Sequence, residues 1–362
     1  MSWYAVDALE EALDATKAML TPLDASQWLR LALVVFFLGS TAGSPSATGG
    51  GPTVGPSMDR PGGVGGPDGP VGQPDGGFVL PDWLADPLGS GGELMADVSS
   101  DLLALAALAV GVALVVGLAY AFVGSVMEFV FVESLRRERV RIRRYGDQHL
   151  WQAVRLFAFR VVLGLVVTLP ILGGVIAAVS VATGSPTVSV GLLVVLVPLF
   201  VLLGLVVAAI DTFTTSFVVP VMIRTNLGVL PAWRRFWPTL TGEWKQYGVY
   251  VLVRFGLAVA AGLLASVVGS VVGAVIAAPL AVVGVLVLPA FGGPAALLSN
   301  PVTLALAVAV VLAYLAALTA AVAVAFVPIR TYLRYHALLV LGDTEPQFDL
   351  IPDRRREIRG WE

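Results

Sequence analysis

An all-α, polytopic membrane helical bundle of about six transmembrane helices, preceded by an N-terminal amphipathic helix, is the fold expected from this sequence. Three features point to it. The 362-residue chain is 57% hydrophobic and 13% charged, with a mean hydropathy of +0.87, where a soluble domain carries about 25% charged residues. Its apolar residues collect in runs of the roughly 20-residue length that crosses a bilayer. Between those runs, 21 of its 22 Lys and Arg fall into four blocks, Lys17–Arg30, Arg136–Arg160, Arg224–Arg254 and Arg330–Arg359, which leaves only Arg60. Retention of basic residues in the cytoplasm orients membrane proteins. The pattern therefore predicts a multi-pass protein of the cell membrane with both termini cytoplasmic, an arrangement that needs an even number of spans.

Residues 1–27 are read as a cytoplasmic amphipathic helix. Trp3, Val6, Leu9, Leu13 and Leu20 form its apolar face, and Asp7, Glu10, Glu11 and Asp14 an acidic one. Anionic lipid would repel that acidic face, so the helix is expected to dock on the basic loop 136–144. Residues 28–40 start the first membrane span, with small residues after Gly39 needed to complete it. A cleaved signal peptide is the rival reading of this stretch. It needs a positive leading region, and here the acidic residues up to Asp24 outnumber Lys17 and Arg30.

Residues 41–100 read as an outer loop. Positions 41–77 hold 13 Gly and 7 Pro in 37 residues, a composition that builds no packed core. The loop is acidic: Asp59, Asp68, Asp75, Asp82, Asp86, Glu93 and Asp97 stand against Arg60.

Residues 101–330 then form a five-span bundle with basic loops. The spans are expected at about 102–132, 154–181, 189–221, 249–278 and 302–328. The first of these five should continue as a helix into Arg136–Arg144. The next should break or kink near Pro170, and Pro198 lies inside the one after. Pro279, Pro289 and the Gly-Gly-Pro at 292–294 make 280–290 a re-entrant or outer-surface segment. Residues 331–362 are expected as a cytoplasmic tail.

The spans repeat. FVFVESLRR at 129–137, FVVPVMIRT at 217–225 and FVPIRTYLR at 326–334 end alike, and Trp28/Arg30, Trp151/Arg160 and Trp244/Arg254 mark three similar starts. Together with SWYAVDALEEALDATK at the N-terminus, WLRLALVVFF, and MEFVFVESLR followed by RIRRY, these residues carry a resemblance. The chain looks like an uncharacterised family of haloarchaeal integral membrane proteins. More remotely, it is similar to the membrane domain of some bacterial glycerophosphodiesterases. The resemblance implies a fold and a location and no activity. An excess of 20 Arg over 2 Lys and a pI near 5.5 fit salt adaptation as well as a GC-rich codon bias.

Asp211 is the one carboxylate well inside an apolar run, followed by Thr212, Thr214 and Thr215. Intramembrane acids are costly and often mark ion or proton paths, so this is a candidate polar site for Na⁺ or a proton. The alternative is an Asp bonded to the neighbouring hydroxyls. Glu128 and Glu133 face Arg155, Arg160 and Arg254 across the inner boundary, as ion pairs or as an anionic-headgroup site. Arg136, Arg137, Arg141, Arg143 and Arg144 are candidate contacts for anionic lipid headgroups or a partner, and also fix topology. Ala261, Ala265, Gly269, Gly273 and Ala277 recur every fourth residue, a small-residue face for helix packing within the bundle or in a homo-oligomer.

No catalytic, cofactor or metal site is expected. The chain has no Cys, two His (His149 and His336) and two Lys, and lacks zincin, nucleophile-elbow and P-loop patterns. Expected partners are the lipid bilayer, anionic headgroups, and a second copy or another membrane protein, with no nucleic acid. The function these residues support is a non-catalytic membrane scaffold or a lipid- or partner-interacting protein. The alternative is a small-solute or ion transporter using Asp211.

Overall fold

The computed structural model describes residues 3–21, 24–38, 100–182, 186–287 and 301–360. Among them every regular element is helical: α1 (Tyr4–Leu20), α2 (Ala25–Leu38), α3 (Ser100–Arg137), α4 (Ile142–Ala182), α5 (Pro186–Phe213), a π-helical turn (Thr214–Val218), α6 (Val219–Thr225), α7 (Val229–Gly242), α8 (Trp244–Val287), α9 (Pro301–Thr344), a 3₁₀ turn (Pro346–Phe348) and α10 (Pro352–Arg359). Contacts divide the chain into two compact units, Gly50–Leu118 and Met1–Gly49 with Ala119–Glu362. Of the first unit only the helical residues 100–118 are described. The second holds the packed core and the charged residues beside it.

Among the described residues five stretches are long and apolar enough to cross a membrane: Ala107–Arg137, Ile142–Ala177, Val195–Thr225, Trp244–Val282 and Val302–Thr344. At 1.5 Å per residue they run roughly 45–65 Å, well beyond the ~30 Å hydrocarbon core. Burial accounts for the excess. Only 6–17% of their most apolar windows is covered by protein, the exposure expected of lipid-facing positions. The other ends are tightly packed. Phe129–Val132 and Leu135 of α3, Phe217–Val219, Val221 and Met222 around α6, Tyr247 and Tyr250 of α8, and Tyr335 and Ala337–Leu341 of α9 are almost fully buried in one core. Long helices thus pass from lipid into a protein-packed module.

The first and last described helices pack into that module. α1 lies along α9, α8 and α10, and α2 along α9. Of the large apolar stripe expected from the sequence, only Leu20 is buried in the core; the rest of the buried face of α1 is made of small residues. Ala5, Ala8, Ala12 and Ala15 are fully buried, while Trp3, Val6 and Leu13 are exposed. Small side chains let the α1 backbone approach α9 closely enough for His336 Nε2 to bond the Ala5 carbonyl at 2.7 Å and Tyr332 Oη to donate to the Leu9 carbonyl at 3.3 Å. Nor, among the described residues, does an ion pair join the acidic face to loop 136–144. Glu11 instead pairs with Arg359 of α10.

Other expectations change at helix ends and prolines. α3 stops at Arg137, where Glu138 takes a positive φ of 52°, so Arg136–Arg144 is not one continuous helix. α4, α5, α8 and α9 run without interruption through Pro170, Pro198, Pro279 and Pro328. A proline removes one intrahelical bond, and the turns on either side keep the rest. The segment expected to be re-entrant at 280–290 is helical as far as Val287 and beyond that lies outside the described residues. The expected tail opens inside α9, which reaches Thr344. A side chain at Gly342 would displace the Arg355 guanidinium, which pairs with Asp343. The 14 residues of α2 span about 21 Å. The continuation expected to complete span 28–40, and the loop 41–100 up to Ser100, lie outside the described residues.

Candidate functional site

Charged side chains gather where the lipid-facing and packed halves of the helices meet. Arg160 of α4 is the hub. Its Nε donates to Asp211 Oδ1 at 3.0 Å, its Nη2 to Thr215 Oγ1 at 3.1 Å and its Nη1 to Ser125 Oγ at 3.5 Å, and Glu128 Oε2 lies 3.9 Å from Nη2. Glu128 also pairs with Arg334 of α9. Glu128, Asp211 and Arg334 are buried. Desolvated ions of this kind persist when each is paired and hydrogen-bonded; Asp211 and Arg160 meet both conditions with each other, and Arg334 pairs with Glu128 and donates to the Thr215 carbonyl.

The π-helical turn sets the geometry. Thr214 Oγ1 donates to the Ile210 carbonyl at 2.6 Å and Thr215 Oγ1 to the Asp211 carbonyl at 2.7 Å. Within the same turn the Thr215 carbonyl accepts from Arg334, and Trp233 Nε1 donates to Thr214 Oγ1 at 3.0 Å. Single π turns inside α-helices occur frequently at functional sites. The irregular turn in this span comes here, after Asp211, while the helix passes Pro198 without interruption.

Beside the hub is a cleft of about 870 Å³ between α2, α3, α5, α8 and α9. One end is polar, lined by Glu128, Asp211, Thr215, Arg254, Arg330 and Arg334; the other is apolar, lined by Leu205, Ala208, Phe255, Ala258, Val259 and Ala265. Three guanidiniums against two carboxylates make the polar end cationic. Arg254 has no carboxylate partner among the described residues, and its Nη1 donates to the Leu333 carbonyl at 3.3 Å. The Tyr250 hydroxyl is buried without a hydrogen-bond partner among the described residues, and its residue lines the same cleft. An orphaned buried hydroxyl is costly.

The structure distributes the sequence candidates unequally. Asp211, Thr214 and Thr215 belong to the hub, and Thr212 lines the cleft. Arg136 and Arg137 turn onto Glu133, and Arg155 stacks over Trp151 at 5.3 Å. Arg143 and Arg144 lie about 24 Å along α4 from Arg160, beyond the 5–8 Å headgroup layer implied by a 40–45 Å bilayer. Arg141, Arg143 and Arg144 are exposed, and none of these five loop arginines reaches the cleft. On α8, Ala265 and Gly273 are buried and Ala277 half-buried. A Cβ at Gly273 would meet Tyr314 Oη at 3.4 Å, while one at Gly269 would meet nothing within 4 Å. The stripe is therefore in part a seat for α9.

Arg330 and Arg334 do not stand out in the sequence as site residues, because they follow the last apolar run and look like the start of a tail. Their spacing of four places both on one face of a continuing helix. Among the described residues no group of three or more His, Asp and Glu is arranged to hold a metal.

No curated protein and no solved structure matches this chain. A family model does, over residues 3–351, which takes in α1 to α9, the hub and the cleft and stops just before α10. The chain belongs to the family of unknown function DUF7544.

Proposed function

We propose that this protein is a non-catalytic, lipid-interacting membrane protein that holds an anionic lipid in the cleft beside Arg254. The carrying observation is the amphipathic lining: cationic at the level where the helices leave the hydrocarbon, apolar along α5 and α8 on the lipid side. A phosphate-bearing headgroup fits the arginine end, because basic pockets between membrane helices bind such groups. Its chains fit the apolar end. Titrating the purified protein in detergent with a fluorescent anionic phospholipid tests this. Saturable binding that Arg254→Gln weakens about tenfold supports the reading; equal binding of a zwitterionic analogue contradicts it.

The other reading, a small-solute or ion transporter, rests on Asp211 next to the π turn. The Arg160 guanidinium already occupies that carboxylate at 3.0 Å, which leaves little negative charge for a cation. Cation flux in proteoliposomes, compared for wild type and Asp211→Asn, separates the two; a flux that the substitution abolishes favours transport.

We place the packed module in the cytoplasm of a cell-membrane protein, with both termini inside. The support is the basic blocks on that side and the packing of α1 and α10 together. Asp7 and Gln347 are exposed. Cysteines introduced at both should label from the same, cytoplasmic side. Kinship with haloarchaeal membrane proteins, and remotely with glycerophosphodiesterase membrane domains, belongs to the same proposal.

A further inference from the structure

We infer that α7 is an interfacial helix that lies in the plane of the bilayer and binds the phosphate layer through Arg234 and Arg235, independently of the cleft. Its depth follows from what it touches. At its N-terminus Gly228 abuts the Arg155 side chain, about 7 Å along α4 from the Arg160 hub. Trp233 bonds Thr214, about 4–5 Å past Asp211. Phe236 packs on Phe217 and Tyr247, with ring centroids 5.5 and 5.4 Å away, about 9–10 Å past Asp211 and Arg254 respectively. Between Gly228 and Phe236 the helix advances about 12 Å. Its contacts over that length stay within about 6 Å of one depth and do not deepen steadily. The helix therefore runs across the bundle, not along it. Its level, roughly 5–10 Å from the charged hub, is that of the headgroups.

The free face has matching chemistry. Val229, Ala232 and Phe236 are buried against the bundle, while Leu230 (64%) and Trp237 (56%) stand exposed beside Arg234 and Arg235. α7 contains no acidic residue, and neither arginine has an ion-pair partner among the described residues. Trp and Leu beside Arg on one face of an amphipathic helix suit the boundary between phosphate and acyl chain. In water the same apolar residues would be left exposed without return. Opposite charge selects the occupant: an anionic lipid surface.

The chain has no cysteine, so single-site labelling reads depth directly. Leu230→Cys, Trp237→Cys and, as the aqueous reference, Arg143→Cys would each be spin-labelled in the full-length protein. The labelled proteins would be reconstituted into nanodiscs of phosphatidylcholine and phosphatidylglycerol. All three positions are exposed, and a monodisperse elution profile confirms folding before labelling. The expected result is headgroup-depth accessibility at 230 and 237, with a collision rate with a water-soluble nickel complex roughly threefold or more below that at 143. In the otherwise native chain, Trp237→Phe should also remove a measurable part of the Trp quenching by brominated lipid. A label at 237 as open to the nickel complex as the one at 143, or quenching unchanged by Trp237→Phe, overturns the assignment.

Discussion

Glu11, in the first helix, and Arg359, in the last, are joined by two hydrogen bonds: Nε to Oε1 at 2.8 Å and Nη2 to Oε2 at 2.9 Å. The same guanidinium reaches Asp343 Oδ2 at 2.8 Å, so one residue ties α1, α9 and α10. Bonding to Glu11 and Asp343 raises the affinity of Arg359 for its proton beyond the ordinary arginine value. This clasp closes the packed module on itself.

Removing the clasp should loosen α1. Both partners are about one-fifth exposed, which keeps the coupling near the upper end of surface pairs, at about 1 kcal/mol. A double-mutant cycle of Glu11→Gln and Arg359→Gln, read by hydrogen exchange of the α1 amides, should show roughly fivefold faster exchange for either single variant. The double variant should be little worse than either alone.

The Arg160–Asp211 pair should behave differently because it is buried. Arg160→Met leaves Asp211 without its guanidinium, a loss of roughly 3–5 kcal/mol, and Asp211→Asn leaves Arg160, among the described residues, only the longer 3.9 Å carboxylate contact with Glu128. The double replacement restores neutrality and should recover much of that. Thermal unfolding in detergent checks this through a double-variant midpoint above both singles.

Packing on α8 should be asymmetric along the small-residue stripe. Gly273→Leu pushes against Tyr314 and Leu318, and overpacking of this kind costs about 1–3 kcal/mol. Gly269→Leu opens into free space and should leave the midpoint unchanged. If both variants instead keep a folded monomer and lose an oligomer in light scattering, the stripe is an intermolecular face.

Asp24 should make α2 acid-sensitive. It caps the helix by accepting from the Ser26 backbone N–H at 2.9 Å, and that bond holds its carboxyl below the usual Asp range. A lowered folded value means that the stabilisation is present above the unfolded value near 3.8. It fades as pH falls through the lower, folded value. Hydrogen exchange at the start of α2 should speed up in that acid range for wild type. Asp24→Asn, which caps without titrating, should show no such change.

How far the sequence carries depends on the residue. The long helices are legible because apolar runs bounded by Arg leave few alternatives. The buried face of α1 is not, since hydrophobic periodicity points to Leu and Val, and contact between α1 and α9 is governed by backbone approach at Ala5, Ala8, Ala12 and Ala15. Asp211 is visible as an acid in an apolar run. Its partner is not, because Arg160 lies 51 residues away and only the fold brings α4 beside α5. The one usable signal is that Arg160 and Arg254 sit just inside outgoing apolar runs, at the level where Asp211 sits near the end of an incoming one. Placing Arg330 and Arg334 requires that α9 survive Pro328.

Retention of an anionic lipid in the cleft beside Arg254 is open to native mass spectrometry. The protein would be released from nanodiscs holding equal phosphatidylglycerol and phosphatidylcholine, and the bound lipid counted. One retained phosphatidylglycerol is expected on wild type, reduced about tenfold by Arg254→Gln and left intact by Arg143→Gln. Equal retention of phosphatidylcholine, or a lipid stoichiometry that Arg254→Gln does not change, would rule the site out.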